Sequence, residues 1–199
     1  MKSNVCKIEN GIKDLTAIFK ECEKVAVYNK LNHKQSLQLR LICEEIDGML
    51  PNIIDDFEGD IWFEFENGVC KVNVSIQISG FDISKKEELI GLAKNGKNAA
   101  AVGIVGKIRS AIENVLLDEV AMSALTAMPD TSHLPPEVEM AMSFDHVWSL
   151  ENYKSTVRKD EQAEAWDELE KSVIASVADD VIVGVKGKRA DIVIIKKFA

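Results

Sequence analysis

The chain has 199 residues, of which 46% are hydrophobic and 29% charged, and its formal net charge at pH 7 is −9. This length and this mixture are typical of a folded globular protein and exclude a disordered polymer. A protein that neutralises phosphates needs a basic face, so the acidic balance argues against a nucleic-acid partner.

The N-terminal part of the chain predicts two amphipathic helices. Apolar residues at helical spacing predict a first helix from Ile8 to Val25. Asn32 and Gln35 have the spacing of a capping box and open a second helix with its own apolar stripe. Pro51 is expected to interrupt or end that second helix, because proline has no amide proton for the helical hydrogen bond.

Two segments of alternating polarity follow the second helix. Apolar and polar residues alternate over 61–65 and again over 72–78. Between them lies the pair Asn67 and Gly68, a strong signal for a tight hairpin turn. This alternation indicates an antiparallel sheet with one buried face and one solvated face.

The remainder of the chain predicts more helices and a second hairpin. In chain order we expect a capped helix opened by Ser84 and Glu87, a small-residue helix over 99–120, a long excursion over 128–148, a helix over 161–180 and a closing hairpin over 181–198. The whole pattern predicts an α+β fold, a two-layer sandwich of one mainly antiparallel sheet with helices packed on one face. We expect a single domain over residues 1–199, with a helical insert or lid at about 84–160.

Basic residues cluster in the closing hairpin. Lysine commonly protects exposed strand edges, so we interpret this cluster as the solvated surface of an edge hairpin. Its members are Lys186, Lys188, Arg189, Lys196 and Lys197.

The cysteines and the apolar segments bear on the cellular compartment. The four cysteines lie far apart and include no C-x-x-C pair, which favours reduced structural thiols in a cytoplasmic protein. No apolar run approaches the ~20 residues needed to cross a bilayer, so we expect no membrane partner. The histidines and cysteines show no metal-ligand spacing, and we expect no metal bound by them.

The segment GLAKNGKN, residues 91–98, differs at one position from the phosphate-loop pattern. Asn98 stands where the pattern requires a serine or threonine, and the preceding segment predicts a polar helix, not the strand that a phosphate loop follows. The alternative is a joint between two helices, with Gly96 ending the first.

The segment LRLICEEIDGML, residues 39–50, together with the order of elements, resembles the histidine-kinase-type ATPase domain (the GHKL or Bergerat fold). Among its members, the small bacterial anti-sigma-factor serine kinases are the most similar. In that family a helix presents a glutamate that acts as the base and, four residues later, an asparagine that binds magnesium. Glu44 matches the glutamate, whereas Gly48 stands in place of the asparagine, and Asp47 offers a carboxylate beside it.

Further segments bear on the resemblance. The family's adenine-binding signature, D-x-G-x-G, should follow the first hairpin, where this chain has only Gly80 and Asp82. The segment AVGIVGKI, with Gly103 and Gly106, is a loose match to the family's glycine-rich turn. Residues 128–142 occupy the place of the nucleotide lid, and the methionines there suit either an adaptable contact surface or a core.

The resemblance implies ATP and magnesium as possible cofactors, with Glu44, Asp47, Gly48, Gly80 and Asp82 at the nucleotide and Glu44 as the catalytic residue. Because the metal-binding asparagine is replaced, we expect a non-catalytic or weakly nucleotide-binding regulator. Such a protein would dock a protein partner, a sigma factor or another signalling protein. Two alternatives stay open: an active ATP-dependent serine kinase or ATPase with Glu44 as base, and a sensor of a small ligand other than a nucleotide.

Glycine inside a helix costs ~1 kcal/mol relative to alanine, so Gly48 calls for a reason. One explanation is that it makes room for a nucleotide or an ion. The other is a close approach between the helix backbone and a neighbouring element, and this second explanation is the one we favour from the sequence.

Overall fold

A computed structural model describes residues 1–10, 15–54, 56–78, 104–113, 147–159, 172–186 and 188–198 of the chain. Within these ranges the fold is α+β and contains one open sheet of six strands. Every pair of neighbouring strands in this sheet is antiparallel.

The strands are β1 (Cys6–Glu9), β2 (Phe57–Glu66), β3 (Val69–Ile78), β4 (Val147–Ser149), β5 (Asp180–Lys186) and β6 (Arg189–Lys197). The helices of the described ranges are α1 (Thr16–Tyr28), α2 (His33–Ile53), α3 (104–113), α4 (Leu150–Lys159) and α5 (Val173–Val177). The order of strands across the sheet is β1-β2-β3-β6-β5-β4.

One face of the sheet forms the hydrophobic core with the helices. Inward residues lie directly opposite one another on adjacent strands, as in the pairs Ile61 with Val74 and Val74 with Ile192. Each of the five helices contributes buried apolar residues to the same hydrophobic cluster as this face, such as Ile18 of α1, Ile42 of α2 and Leu150 of α4. The sequence therefore correctly predicted an antiparallel sheet and one buried face, and the arrangement is consistent with two layers.

Helix α2 begins where the sequence predicts. The Asn32 side chain accepts a hydrogen bond from the Gln35 amide at 3.0 Å, and the Gln35 side chain accepts one from the Asn32 amide at 2.9 Å. Of the two expectations for Pro51, an interruption is not seen, since Pro51 lies inside α2, but the helix ends close after it, at Ile53, just before the acids of residues 55–60. A proline this close to the C-terminal end removes only one of the last helical hydrogen bonds.

The first hairpin also follows the prediction. Asn67 and Gly68 join β2 to β3 and have φ angles of 50° and 78°. Positive φ at both central residues is the requirement of the tight turn that asparagine followed by glycine favours. The closing hairpin is confirmed as β5 and β6.

Two sequence-based interpretations are wrong. Ile8 does not begin a helix, because it lies in β1, and α1 begins at Thr16. The basic closing hairpin is not at an edge, since β6 pairs with both β3 and β5, and β4 covers the other side of β5. The solvated surface is confirmed, since Lys186, Lys188, Arg189 and Lys197 are exposed. The edge position is wrong for β6, which is an interior strand, and for residues 182–184 of β5, which pair with β4.

Several predicted features fall outside the described residues. They are Gly80, Asp82, the capping box of Ser84 and Glu87, the segment 91–98, Gly103, and the lid region 128–142. The predicted small-residue helix is described only as α3, and the predicted helix over 161–180 only from residue 172 onward.

Candidate functional site

Glu44 lies on the exposed side of α2 and is paired with a cation of its own helix. Arg40 Nε donates to Glu44 Oε1 at 3.1 Å, one helical turn away. The Arg40 guanidinium stacks over the Phe19 ring of α1 at 4.5 Å and lies 3.9 Å from Glu23. Arg40 thus holds the Glu44 carboxylate at the seam between α1 and α2.

Asp47 belongs to a different surface. It lines a cavity of about 50 Å³ that lies between α1, α2, β1 and β2. The lining is mainly apolar and includes Leu15, Ile46 and Phe57, while Lys7 joins Asp47 among its polar members. A cavity of this size has space for water or a few apolar atoms and is far too small for a nucleotide.

Gly48 is exposed, and the close-approach explanation for it is wrong. Among the residues that the structure describes, no heavy atom lies within 4 Å of the position that a Cβ would occupy. The place where the resemblance expects the magnesium-binding amide is therefore open space. A Cβ could be added there without contact with any described heavy atom within 4 Å.

The far end of α2 is joined to α3 beside Gly48. The Asn52 side chain donates to the Gly48 carbonyl at 2.7 Å, and Arg109 of α3 donates to the Asn52 carbonyl at 3.3 Å. Arg109 also pairs with Glu113 at 2.8 Å. This contact places the Arg109 guanidinium of α3 next to α2. In the family that the sequence resembles, the helix corresponding to α2 is expected to contact phosphate.

The sequence-predicted residues of α2 thus do not converge on one point. Glu44 is held at the α1–α2 seam, Asp47 lines the apolar cavity, and Gly48 faces open space near Asn52 and Arg109. Arg109 and Asn52 were not predicted from the sequence. Their contact joins residues 57 positions apart, which no local pattern indicates.

The four cysteines form no disulfide and are all buried. The Cys43 thiol donates to the Leu39 carbonyl at 3.3 Å. The neighbouring Cys43 thiol lowers the pKa of Cys22, and the Cys22 thiol, together with burial, raises the pKa of Cys43. Burial raises the pKa of Cys70 to about 12 and also raises the pKa of Cys6. The low exposure of all four thiols, with raised pKa values at three of them, is typical of structural thiols.

Within the described ranges, no three or more histidine, cysteine, aspartate or glutamate side chains are placed to hold a metal ion. In the same ranges no helix has both the length and the apolar character needed to cross a membrane.

Comparison with known proteins gave no match: no protein-family model, no curated protein and no solved structure is significantly similar to the chain.

Proposed function

We propose that this chain is a non-catalytic or weakly nucleotide-binding regulator with a histidine-kinase-like ATPase scaffold, which acts by docking a protein partner. The order of elements supports this proposal. The helix pair, the β2–β3 hairpin, α3 and the β5–β6 hairpin follow one another as the anti-sigma-factor kinases would have them, and β6 lies beside β3. The four reduced cysteines favour the cytoplasm as its compartment.

The proposal depends on two residues of α2, Gly48 and Glu44, at the positions where the family binds its metal and places its base. Phosphoryl transfer requires a divalent metal that bridges the phosphates and offsets their charge. At the position expected to hold this metal, Gly48 supplies no ligand, and the Glu44 carboxylate is paired with Arg40. A chain with this scaffold that does not transfer phosphate can still act by binding a protein, such as a sigma factor, on its surface.

Isothermal titration calorimetry with magnesium and ATP tests the loss of nucleotide binding. We compare the wild type with Gly48→Asn, which restores the amide oxygen, and with Gly48→Ala, which adds only a methyl group. The Cβ that both substitutions add meets no heavy atom of the described residues within 4 Å. We expect weak or undetectable binding to the wild type and to Gly48→Ala, and tighter binding to Gly48→Asn.

Tight binding of magnesium and ATP by the wild type, accompanied by phosphate release, would overturn the proposal in favour of an active kinase. In that case Glu44→Ala should abolish phosphotransfer. The same substitution in a regulator should change the free energy of unfolding by no more than ~0.5 kcal/mol, because the pair with Arg40 is exposed. Calorimetric titration of the wild type with a bacterial sigma factor tests the proposal that the chain binds a protein partner.

The cavity beside Asp47 favours a second candidate, a sensor of a small ligand. It is lined by α2 and by strands of the sheet, and its lining is mainly apolar. Xenon is a suitable probe, because it enters dry apolar cavities. A sensor should show xenon-dependent NMR shifts at the methyl groups of Ile46 and Leu50. The absence of such shifts would remove this candidate.

A further inference from the structure

The outer face of the sheet, opposite the hydrophobic core, has an apolar centre. Trp62, Asn73, Val193 and Ile182 lie in one row across β2, β3, β6 and β5. Asn73 is only 9% exposed, and the three apolar members of this row are partly buried. We call these four residues the central row.

Charged residues flank the central row toward one end of the sheet. Glu58, Gln77, Arg189 and Lys186 form a second row across the same four strands, and all four are exposed. The acid is at the β2 end of this charged row and the two cations are at the β6 and β5 end, where Arg189 pairs with Asp191 of its own strand at 3.0 Å. Lys186 is therefore the cation that matters for a contact with Glu58. An apolar centre within a polar rim is the usual anatomy of a protein interface.

The β2 end of the charged row contains an unfavourable contact. Glu9 of β1 and Glu58 of β2 are directly opposite each other. Like charges in such cross-strand pairs are destabilising. Glu9, Glu58 and Asp60 line one groove of about 420 Å³ on this part of the sheet, together with Arg189 and with Lys7, which pairs with Asp60 at 2.8 Å. A further cation placed over Glu58 would relieve the repulsion between Glu58 and Glu9.

We propose that a second copy of this chain packs on this outer face, with a two-fold axis parallel to the strands and between β3 and β6. This axis places β2 of one copy over β5 of the other. Lys186 of each copy then lies over Glu58 and the groove of the other, and Ile182 lies over Trp62. Both contacts occur twice, as they must in a two-fold symmetric interface.

The size of the face agrees with a reversible dimer. Six strands at the usual spacing make a face roughly 29 Å wide and 23 Å long, on the order of 700 Å² per copy. Stable interfaces bury about 800 Å² per partner and weaker ones less. Because area does not fix affinity, dimerisation has to be followed over a wide range of protein concentration. This dimer is independent of nucleotide binding, since none of its contacts involves α2.

Sedimentation velocity of the full chain, from low to several hundred micromolar, tests the inference. We expect the wild type to form a dimer at the upper concentrations. Glu58→Lys and Lys186→Glu should each weaken dimerisation about tenfold or more, because each puts two like-charge pairs into the interface. The double variant, Glu58→Lys with Lys186→Glu, should restore it.

Ile182→Lys places a charge in the central row and should abolish the dimer. Val27→Lys is the matched control, since Val27 is an apolar residue of α1 that is 78% exposed and lies away from the sheet face. A wild type that stays monomeric throughout would overturn the inference. So would a dimer that the charge reversals leave unchanged. Glu58 and Lys186 are exposed, so the charge-reversal variants remain decisive even if Ile182→Lys does not fold.

Discussion

At the scale of single residues, a buried carboxylate fastens the N-terminal segment to α1. Glu21 is only 7% exposed. Its oxygens accept hydrogen bonds from Lys24 at 2.6 Å and from the Asn4 amide and side chain at 3.2 and 3.0 Å. The hydrogen bond from Lys24, followed by those from Asn4, holds the pKa of Glu21 below its ordinary value, although burial opposes this shift.

Glu21→Gln should therefore lower the free energy of unfolding by about 2 kcal/mol at neutral pH, because it removes a charge-assisted hydrogen-bond network. The pKa of Glu21 is lower in the folded state than in the unfolded state. Its contribution is thus fully present above the unfolded value and is lost as the pH falls through the folded value. Urea denaturation at a series of acidic pH values measures both effects.

The control for Glu21 is Glu23→Gln, on the same helix, where the side chain is 69% exposed and lies 3.9 Å from Arg40. We expect almost no change for this control. If the two variants lost stability equally, or if the wild type and Glu21→Gln had the same pH dependence below pH ~4.5, the role given to Glu21 would be wrong.

At the scale of elements, the β2–β3 ladder includes a glycine that the packing requires. A Cβ on Gly59 would lie 2.3 Å from the carbonyl oxygen of Ser75 and 2.9 Å from the Cα of Ile76. Both atoms belong to the backbone of the neighbouring strand, so they cannot move without distorting the ladder. At Gly184 of β5, no heavy atom of the described chain lies within 4 Å of the same position.

Gly59→Ala should consequently lower the free energy of unfolding by roughly 2–3 kcal/mol, the usual cost of overpacking. Gly184→Ala, the matched substitution in another strand, should be neutral within about 0.5 kcal/mol. Chemical denaturation of both variants at the same low protein concentration measures the difference. Equal stability of the two variants would contradict the close contact at Gly59.

The helices and strands differ in how well they could be predicted from the sequence. Helix α2 and the β2–β3 hairpin were predictable, because the capping box and the Asn67-Gly68 turn are local signals. Strand β1 was not, since its inward residues Cys6 and Ile8 are too few to establish an alternation that differs from the helical pattern that follows. Strand β4 has three residues and is recognised only by its pairing with β5.

The candidate site was predictable only in part, for the same reason. The spacing of Glu44 and Gly48 in the sequence places both on one side of α2, but the side chain of Glu44 is held by Arg40, itself stacked on α1. Arg109 approaches α2 through the contact with Asn52. The contacts of Arg40 with α1 and of Arg109 with α2 are tertiary, and the periodicity of one helix cannot predict them.

At the scale of the whole molecule, the four cysteines report on the cooperativity of the core. The exposed fractions of Cys6, Cys22, Cys43 and Cys70 are 7%, 3%, 1% and 0%. Together they sample β1, α1, α2 and β3. A thiol reagent can therefore reach them only when the core opens, locally or globally.

We expect an aromatic disulfide reagent at mildly alkaline pH to label none of the four thiols rapidly in the native protein and all of them in urea. Labelling should accelerate as urea approaches the unfolding midpoint, because exposure then follows unfolding. Rapid labelling of Cys22 or Cys43 without urea would show that α1 and α2 separate in the native state, and the described packing of this helix pair would be wrong.

The central proposal is that this chain has a histidine-kinase-like scaffold without the group that holds the metal in that family. A crystal structure of the wild type soaked with magnesium and a non-hydrolysable ATP analogue tests it most directly. We expect no magnesium against α2, and any bound nucleotide to make no metal-bridged contact at Gly48. A triphosphate with magnesium seated against Glu44 and Asp47 would contradict the claim.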